Sequence, residues 1–229
     1  MSLPILIVGN VGVYKNDDGS LEWSCGLAVD ADGANGQFGE PPAYAPQGSG
    51  IKHLDVLENA TKEPSRHVAD QIADGSVRWV GVVTDTGLPT GKPIVQVEGD
   101  PCPGAYVSAS ALGDHTKGDK SPWRYVDAAT IPYFSVPPGV IKLGVQLGDV
   151  GVVSYNGKTA NIVIADVGPA KKLGEGSVAL AKSLGIPSSP VNGGTDKGLH
   201  VKVWPGSSKG WPRTQEDMAA QIVELQTKT

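Results

Sequence analysis

Residues 162–176 read Ile-Val-Ile-Ala-Asp-Val-Gly-Pro-Ala-Lys-Lys-Leu-Gly-Glu-Gly. The run from Ile162 to Ala165 is short and mostly β-branched, which is typical of a strand buried on both faces. Gly168 and Pro169 end it, because proline has no amide hydrogen and the residue before a proline avoids helical angles. The pattern predicts a buried strand with Asp166 close to its end.

A helix is predicted to follow this strand. Glu175 opens a segment in which apolar residues recur at three-residue steps through Leu184, and Gly185 is a typical helix terminator. Asp166 and Glu175 are nine positions apart in the sequence. The Gly-Pro turn and the short basic loop between them can bring both carboxylates to one cleft.

Two carboxylates on rigid elements suit the cleavage of a glycosidic bond. One carboxylic acid protonates the leaving oxygen, and the other group acts as base or nucleophile on the opposite side of the sugar. A structural interpretation remains open, because Asp at a strand end often accepts hydrogen bonds from turn amides and Glu at a helix start often meets the helix dipole.

Several segments, in a single order, resemble the glycoside hydrolase family 75 chitosanases. The central one is Ala-Asp166-Val-Gly-Pro followed by Gly-Glu175-Gly-Ser-Val-Ala-Leu-Ala. The others are Val29–Gly33, Trp79–Asp85 with Pro93–Gln96, Asp100–Ser108, Arg124–Asp127 and Ile131–Tyr133. The similarity covers roughly residues 29–206, and agreement of separate segments is more specific than a lone motif.

The resemblance implies a secreted, endo-acting enzyme that cleaves β-1,4 bonds between glucosamine units with inversion, although Leu3 to Val8 is too short for a signal-peptide core. It makes Asp166 and Glu175 the catalytic pair. We assign the general acid to Glu175 and the water-activating base to Asp166. A helix-start position of Glu175 argues against this choice, because the dipole favours the charged form.

Further acidic and aromatic residues are candidates for substrate binding. In a continuous strand Asp30 and Asp32 would share one face, where they could bind glucosamine ammonium groups; a hydrogen-bonded turn is the alternative. Asp85, Tyr106 and Tyr125 lie in the other segments of the resemblance. A calcium loop starting at Asp30 is excluded, because its twelfth position is Pro41 and not a glutamate.

The composition predicts one mainly β domain over residues 1–229 with a few short helices. The 31 glycines and 18 prolines are scattered between short apolar runs, which favours many turns between strands. Val80–Thr84 with Ile94–Val95 reads like Val150–Ser154 with Ile162–Ile164, as if one β unit were repeated. By analogy this predicts a six-stranded, double-psi-like β-barrel core.

Charge and residue usage exclude several classes of function. A formal net charge of -5 disfavours binding to nucleic acid or an anionic membrane and favours a cationic polymer such as chitosan. We expect a monomer that needs no cofactor. We also expect no metal site, since His53 and His67 have no ligand partner at metal-site spacing. Whether Cys25 and Cys102 pair is open.

The alternatives to a chitosanase are a non-catalytic, expansin-like polysaccharide-binding module and a hydrolase of another amino-sugar polymer such as peptidoglycan.

Overall fold

The structure is a computed structural model that describes residues 3–227, and within the helix at 65–74 it describes the side chains of residues 67, 68, 71, 72 and 74. The chain divides into two compact units. Unit 1 runs up to Asp30 and continues from Ile131 onward, and unit 2 is Ala31–Thr130. The expectation of a single domain over 1–229 stays a prediction.

Unit 1 contains the strands of the chain. They span Leu6–Val8 (β1), Val11–Lys15 (β2), Leu21–Asp30 (β3), Tyr133–Val136 (β4), Val150–Tyr155 (β5), Lys158–Val167 (β6), Glu175–Ser177 (β7) and Thr195–Val203 (β8). The helices span Leu57–Thr61 (α1) and Ser65–Asp74 (α2) in unit 2, and Pro138–Ile141 (α3), Val178–Leu184 (α4) and Gln215–Thr227 (α5) in unit 1.

Six strands of unit 1 form a closed barrel. They are hydrogen-bonded in the order β3-β7-β4-β6-β5-β8, and a further pairing between β8 and β3 closes the ring. The pairs β3–β7 and β4–β6 are parallel, and the remaining neighbours in the ring are antiparallel. The prediction of a mainly β protein with a six-stranded barrel core and a few short helices is confirmed.

The core of unit 1 follows from the alternation of side chains along its strands. Along β3, Leu21, Trp23, Cys25 and Leu27 are buried, while the residues between them are partly or fully exposed. These side chains pack with apolar residues of the other barrel strands and of α4, and the ring centroid of Trp23 lies 5.9 Å from that of Phe134. Burial of each large apolar side chain stabilises the fold by roughly 1.5–3 kcal/mol.

The helix predicted to follow strand β6 is present as α4. Helix α4 ends at Leu184, and Gly185 caps it in the left-handed region with φ 72°, as its position predicts. A helix was also expected over residues 51–60, because apolar residues recur there at helical spacing. The structure begins α1 only at Leu57, so this prediction was too long by two turns.

Unit 2 is built mainly from turns and short bridges. Its isolated bridges include the pairs Val82 with Ser108, Thr84 with Pro93 and Val95 with Tyr106. The expected repeat of one β unit is therefore wrong: residues 150–164 form long barrel strands, whereas residues 80–95 form single bridges in the other unit.

Among the described residues, no helix has the length and apolar character needed to cross a membrane.

Candidate functional site

The two predicted catalytic residues lie in one row across the barrel sheet. Strand β7 lies between β3 and β4, and β4 lies between β7 and β6. Ser135 of β4 pairs with Glu175 on one side and with Asp166 on the other. Glu175 and Asp166 are therefore separated by two strand spacings, a backbone distance of about 10 Å.

Both carboxylates project from the side of the sheet that faces away from the core of unit 1. Phe134 and Val136 belong to that core, so Ser135 between them points to the opposite face. Directly paired residues share a face of a sheet, so Glu175 and Asp166 lie on the same face as Ser135. A bulge in the register between β4 and β6 accompanies this arrangement, because the pairing passes from Phe134–Ile164 to Ser135–Asp166.

A third carboxylate, Asp30, joins this face. It ends β3, two positions after Ala28, which pairs with Glu175. The hydroxyl of Tyr133 donates a hydrogen bond to Asp30 Oδ2 at 3.0 Å. Carboxylate oxygens of Asp30 and Asp166 lie within 4.8 Å of each other. Two carboxylates at this distance can share a cation, either an organic ammonium or a metal ion that prefers oxygen ligands.

The carboxyl group of Glu175 lies next to the position that a side chain at residue 168 would occupy. A Cβ atom built on Gly168 would lie 3.1 Å from Glu175 Oε2 and 3.6 Å from Ser135 Cβ. The absence of a side chain at Gly168 therefore leaves room for the carboxyl group. The Gly-Pro turn, read from the sequence as the end of the strand, also shapes this site.

A single hydroxyl group fixes the segment that carries Glu175. Ser177 Oγ accepts hydrogen bonds from the amides of Leu180 and Tyr133, each at 3.0 Å, and donates to the carbonyl of Ile131 at 2.8 Å. Ser177 is the N-cap of α4, so Glu175 lies on strand β7 and not in the first helical turn. The expected helix-start position of Glu175 is thus wrong, and the dipole argument against its role as an acid no longer applies.

Ser135 is a residue of this site that no sequence pattern indicated. Its side chain is 1% exposed, and among the residues that the structure describes its Oγ atom has no hydrogen-bond partner. A buried hydroxyl without a partner costs free energy, so its presence between two carboxylates calls for a reason. The available signal was modest: Ser135 is the one polar residue in the apolar run of β4.

Asp32 does not continue the strand that carries Asp30. Strand β3 ends at Asp30, and Asp32 lies in a turn of unit 2 that is closed by the amide of Ala34 and the carbonyl of Ala31 at 3.0 Å. The idea that both Asp residues share one strand face is therefore wrong. Within unit 2, the hydroxyl of Tyr44 donates to Asp32 Oδ1 at 3.0 Å.

The remaining predicted binding residues belong to unit 2. Asp85 Oδ1 accepts a hydrogen bond from the amide of Lys92 at 2.8 Å, an interaction that stabilises the loop between them. The ring of Tyr106 is buried and packs edge-on against Trp79, and this burial raises the pKa of its hydroxyl. The hydroxyl of Tyr125 donates to the carbonyl of Asp119. Their role in binding stays a prediction.

Both cysteines are free thiols. Cys25 belongs to the core of unit 1, and burial raises the pKa of its thiol to about 12. Since the thiolate is the reactive form, Cys25 is unsuited to be a nucleophile at neutral pH. Cys102 is partly buried, and burial raises the pKa of its thiol as well.

A cavity of about 790 Å³ opens elsewhere in unit 1. Glycines 26, 174, 193, 194 and 198 contribute to its lining, together with Lys172, Asp196 and Lys197. Neither Asp166 nor Glu175 borders it. The cavity therefore does not support the predicted catalytic pair, whose arrangement is inferred from strand register instead.

The sequence matches none of the protein-family models with which it was compared, and no curated protein shows significant similarity to it.

Proposed function

We propose that this protein hydrolyses β-1,4 linkages between glucosamine units of chitosan by an inverting acid/base mechanism. The observation that supports it is the row Glu175–Ser135–Asp166, which sets two carboxylates on one sheet face two strand spacings apart. A backbone separation of about 10 Å is compatible with the roughly 6.5–9.5 Å between carboxyl groups that inversion requires, since a water molecule must fit beside the sugar.

In this mechanism the two carboxyl groups have different tasks. Glu175 donates its proton to the oxygen of the scissile bond, so that the leaving sugar departs with a neutral hydroxyl group. Asp166 takes a proton from a water molecule whose oxygen attacks the anomeric carbon from the opposite side. Asp166 then releases its proton to solvent, and Glu175 takes up a proton from solvent, so that both groups return to their starting states.

The charge of the site favours an amino sugar over a neutral one. Asp30 adds a second negative charge beside Asp166, and the Tyr133 hydroxyl holds it in place. A glucosamine ammonium group between these carboxylates would relieve their mutual repulsion. This supports chitosan as the substrate class. In this proposal the chain needs no metal ion or cofactor and acts as a secreted monomer.

Release of new reducing ends from soluble chitosan tests the proposal. The wild-type protein should generate them, and Asp166→Asn and Glu175→Gln should not do so at a comparable rate. Binding of chitosan without release would instead favour the expansin-like binding module. Release from peptidoglycan but not from chitosan would assign the enzyme to another amino-sugar polymer.

A further inference from the structure

Phe38 in unit 2 has an unusual conformation and an unusual exposure. Its φ is 56° and its ψ is 23°, in the left-handed region, and its side chain is 86% exposed. A bulky residue in this region costs conformational free energy relative to glycine. With so little of its surface buried, the Phe38 ring offsets little of that cost by packing within its own unit.

The turn that presents Phe38 is firmly built. The amide of Glu40 donates to the carbonyl of Gln37 at 3.1 Å, and Gly36 and Gly39 take the positive φ values on either side of the turn. Asn35 at its base is fully buried, and its side chain accepts a hydrogen bond from the amide of Ser108 at 2.8 Å. The exposed ring therefore stands on an ordered support.

A second exposed aromatic ring lies on the neighbouring turn. The carbonyl of Pro122 accepts hydrogen bonds from the side-chain amides of Asn35 and Gln37, both at 3.2 Å. Trp123, the next residue along the chain, is 47% exposed. One backbone carbonyl thus ties the Phe38 turn to the Trp123 turn.

The Trp123 turn is also held in place by ionic contacts. The guanidinium group of Arg124 lies 2.7 Å from Asp119 Oδ1 and donates to the carbonyl of Lys117 at 2.8 Å. The Arg124 side chain is only 17% exposed, whereas the Asp119 side chain is 83% exposed. Phe38 and Trp123 therefore both lie on turns of unit 2 that are stabilised by hydrogen bonds.

The charge of unit 2 indicates which ligand would fit these rings. Unit 2 has thirteen Asp and Glu against eight Lys and Arg, a formal charge of -5, whereas unit 1 has eleven of each and is neutral. A cationic ligand is therefore favoured at this unit over an anionic one. Ammonium groups are attracted to the faces of aromatic rings, and the rings also provide apolar contact area.

We propose that Phe38 and Trp123 form an aromatic binding platform for a glucosamine polymer, on which successive sugars rest against the two rings. This inference rests on the proposed function for its ligand, but it concerns binding and not bond cleavage. It also gives a reason for a strained, exposed phenylalanine: glycine at this position would relieve the strain and lose the ring.

Equilibrium binding of a glucosamine hexamer tests the platform. Binding is measured in the Glu175→Gln background, so that the oligomer is not consumed and a failure of the hydrolysis proposal leaves the measurement valid. Phe38→Leu and Trp123→Leu, which keep apolar bulk and remove the aromatic face, should each weaken binding about two- to fivefold. The loss should be smaller for a hexamer of N-acetylglucosamine, which has no ammonium groups.

Phe38→Gly separates binding from a structural role. The platform predicts weaker binding of the glucosamine hexamer together with an unchanged or raised thermal unfolding midpoint, because strain is relieved. Tryptophan fluorescence gives a second signal, since the response to the hexamer should be lost in Trp123→Leu. Unchanged affinity in both Phe38→Leu and Phe38→Gly would overturn the platform, as would a lowered unfolding midpoint in Phe38→Gly.

Discussion

The carboxyl group of Glu175 lies beside the space that a side chain on Gly168 would fill. A Cβ atom at residue 168 would be 3.1 Å from Glu175 Oε2, closer than ordinary van der Waals contact. The Glu175 carboxyl group at the start of β7 can take this position because residue 168, in the turn after β6, has no side chain. The position of the proposed acid depends on this glycine as well as on its own strand.

Gly168→Ala should therefore lower turnover on chitosan while leaving the fold intact. The added methyl group would displace the Glu175 carboxyl group by a few tenths of an ångström, and we expect a loss of about tenfold in kcat. Gly118→Ala is the matched control, because a Cβ atom there would meet no atom within 4 Å. Equal turnover in the two variants would show that Gly168 does not position Glu175.

Removal of either carboxyl group of the proposed catalytic pair should have a much larger effect. Asp166→Asn and Glu175→Gln should each reduce kcat at least ~100-fold, the low end for acid/base catalysis, with unchanged circular dichroism and unfolding midpoint. Asp196→Asn, which neutralises an exposed acidic residue of unit 1, serves as the control. Turnover near the wild-type level in either variant would remove that residue from the mechanism.

Local patterns in the sequence predicted much of unit 1. The apolar run before Asp166 identified β6, and Gly185 correctly marked the end of α4. Strand β3 was not identified, although Leu21, Trp23, Cys25 and Leu27 alternate with polar or small residues. The average hydrophobicity of this segment is not typical of a buried strand. The evidence for a strand is the alternation of apolar with polar or small residues at every second position.

Long-range register explains what the sequence left undetermined at the site. Ser135 lies between Asp166 and Glu175 because a parallel pairing and an antiparallel pairing meet on β4, and no local pattern specifies such partners. The sequence predicted Glu175 in the first helical turn, where glutamate is common. In the structure Ser177 is the N-cap, so the helix begins at Val178. Residues 80–84 resemble β5 in their β propensity. They lack the neighbouring strands with which β5 pairs, so they form only isolated bridges.

Asp30 should contribute to binding more than to turnover. Asp30→Asn removes a negative charge beside Asp166, so we expect a higher KM on chitosan with a smaller change in kcat. The difference from wild type should shrink at high salt, because salt screens the attraction of ammonium groups. Tyr133→Phe, which removes only the hydroxyl bonded to Asp30, should act in the same direction. An unchanged KM in both variants would make Asp30 structural.

The ion pair between Asp18 and Lys202 should make stability depend on pH in acid. Asp18 Oδ2 lies 2.8 Å from Lys202 Nζ. Burial acts to raise the pKa of Asp18, but hydrogen bonds from Lys202 and Ser20 outweigh it and lower the pKa to about 2. A lowered pKa in the folded state stabilises the fold above the ordinary value near 4 and loses this effect as the pH falls to 2.

The matching variant is Asp18→Asn. It should reduce the free energy of unfolding by about 2 kcal/mol at pH 7, on the basis of the pKa difference, and by much less at pH 2. Urea unfolding at the two pH values measures both quantities. A destabilisation that is equal at pH 7 and pH 2 would show that the charge of Asp18 does not contribute.

Inverting hydrolysis of glucosamine linkages is the activity that we propose for the carboxylate row. Proton NMR of the first products formed from a glucosamine hexamer reports both cleavage and its stereochemistry. We expect the α-anomer to appear first from the β-linked substrate. Initial appearance of the β-anomer would contradict the role of Asp166 as a water-activating base, and a hexamer left uncleaved would contradict the proposed activity itself.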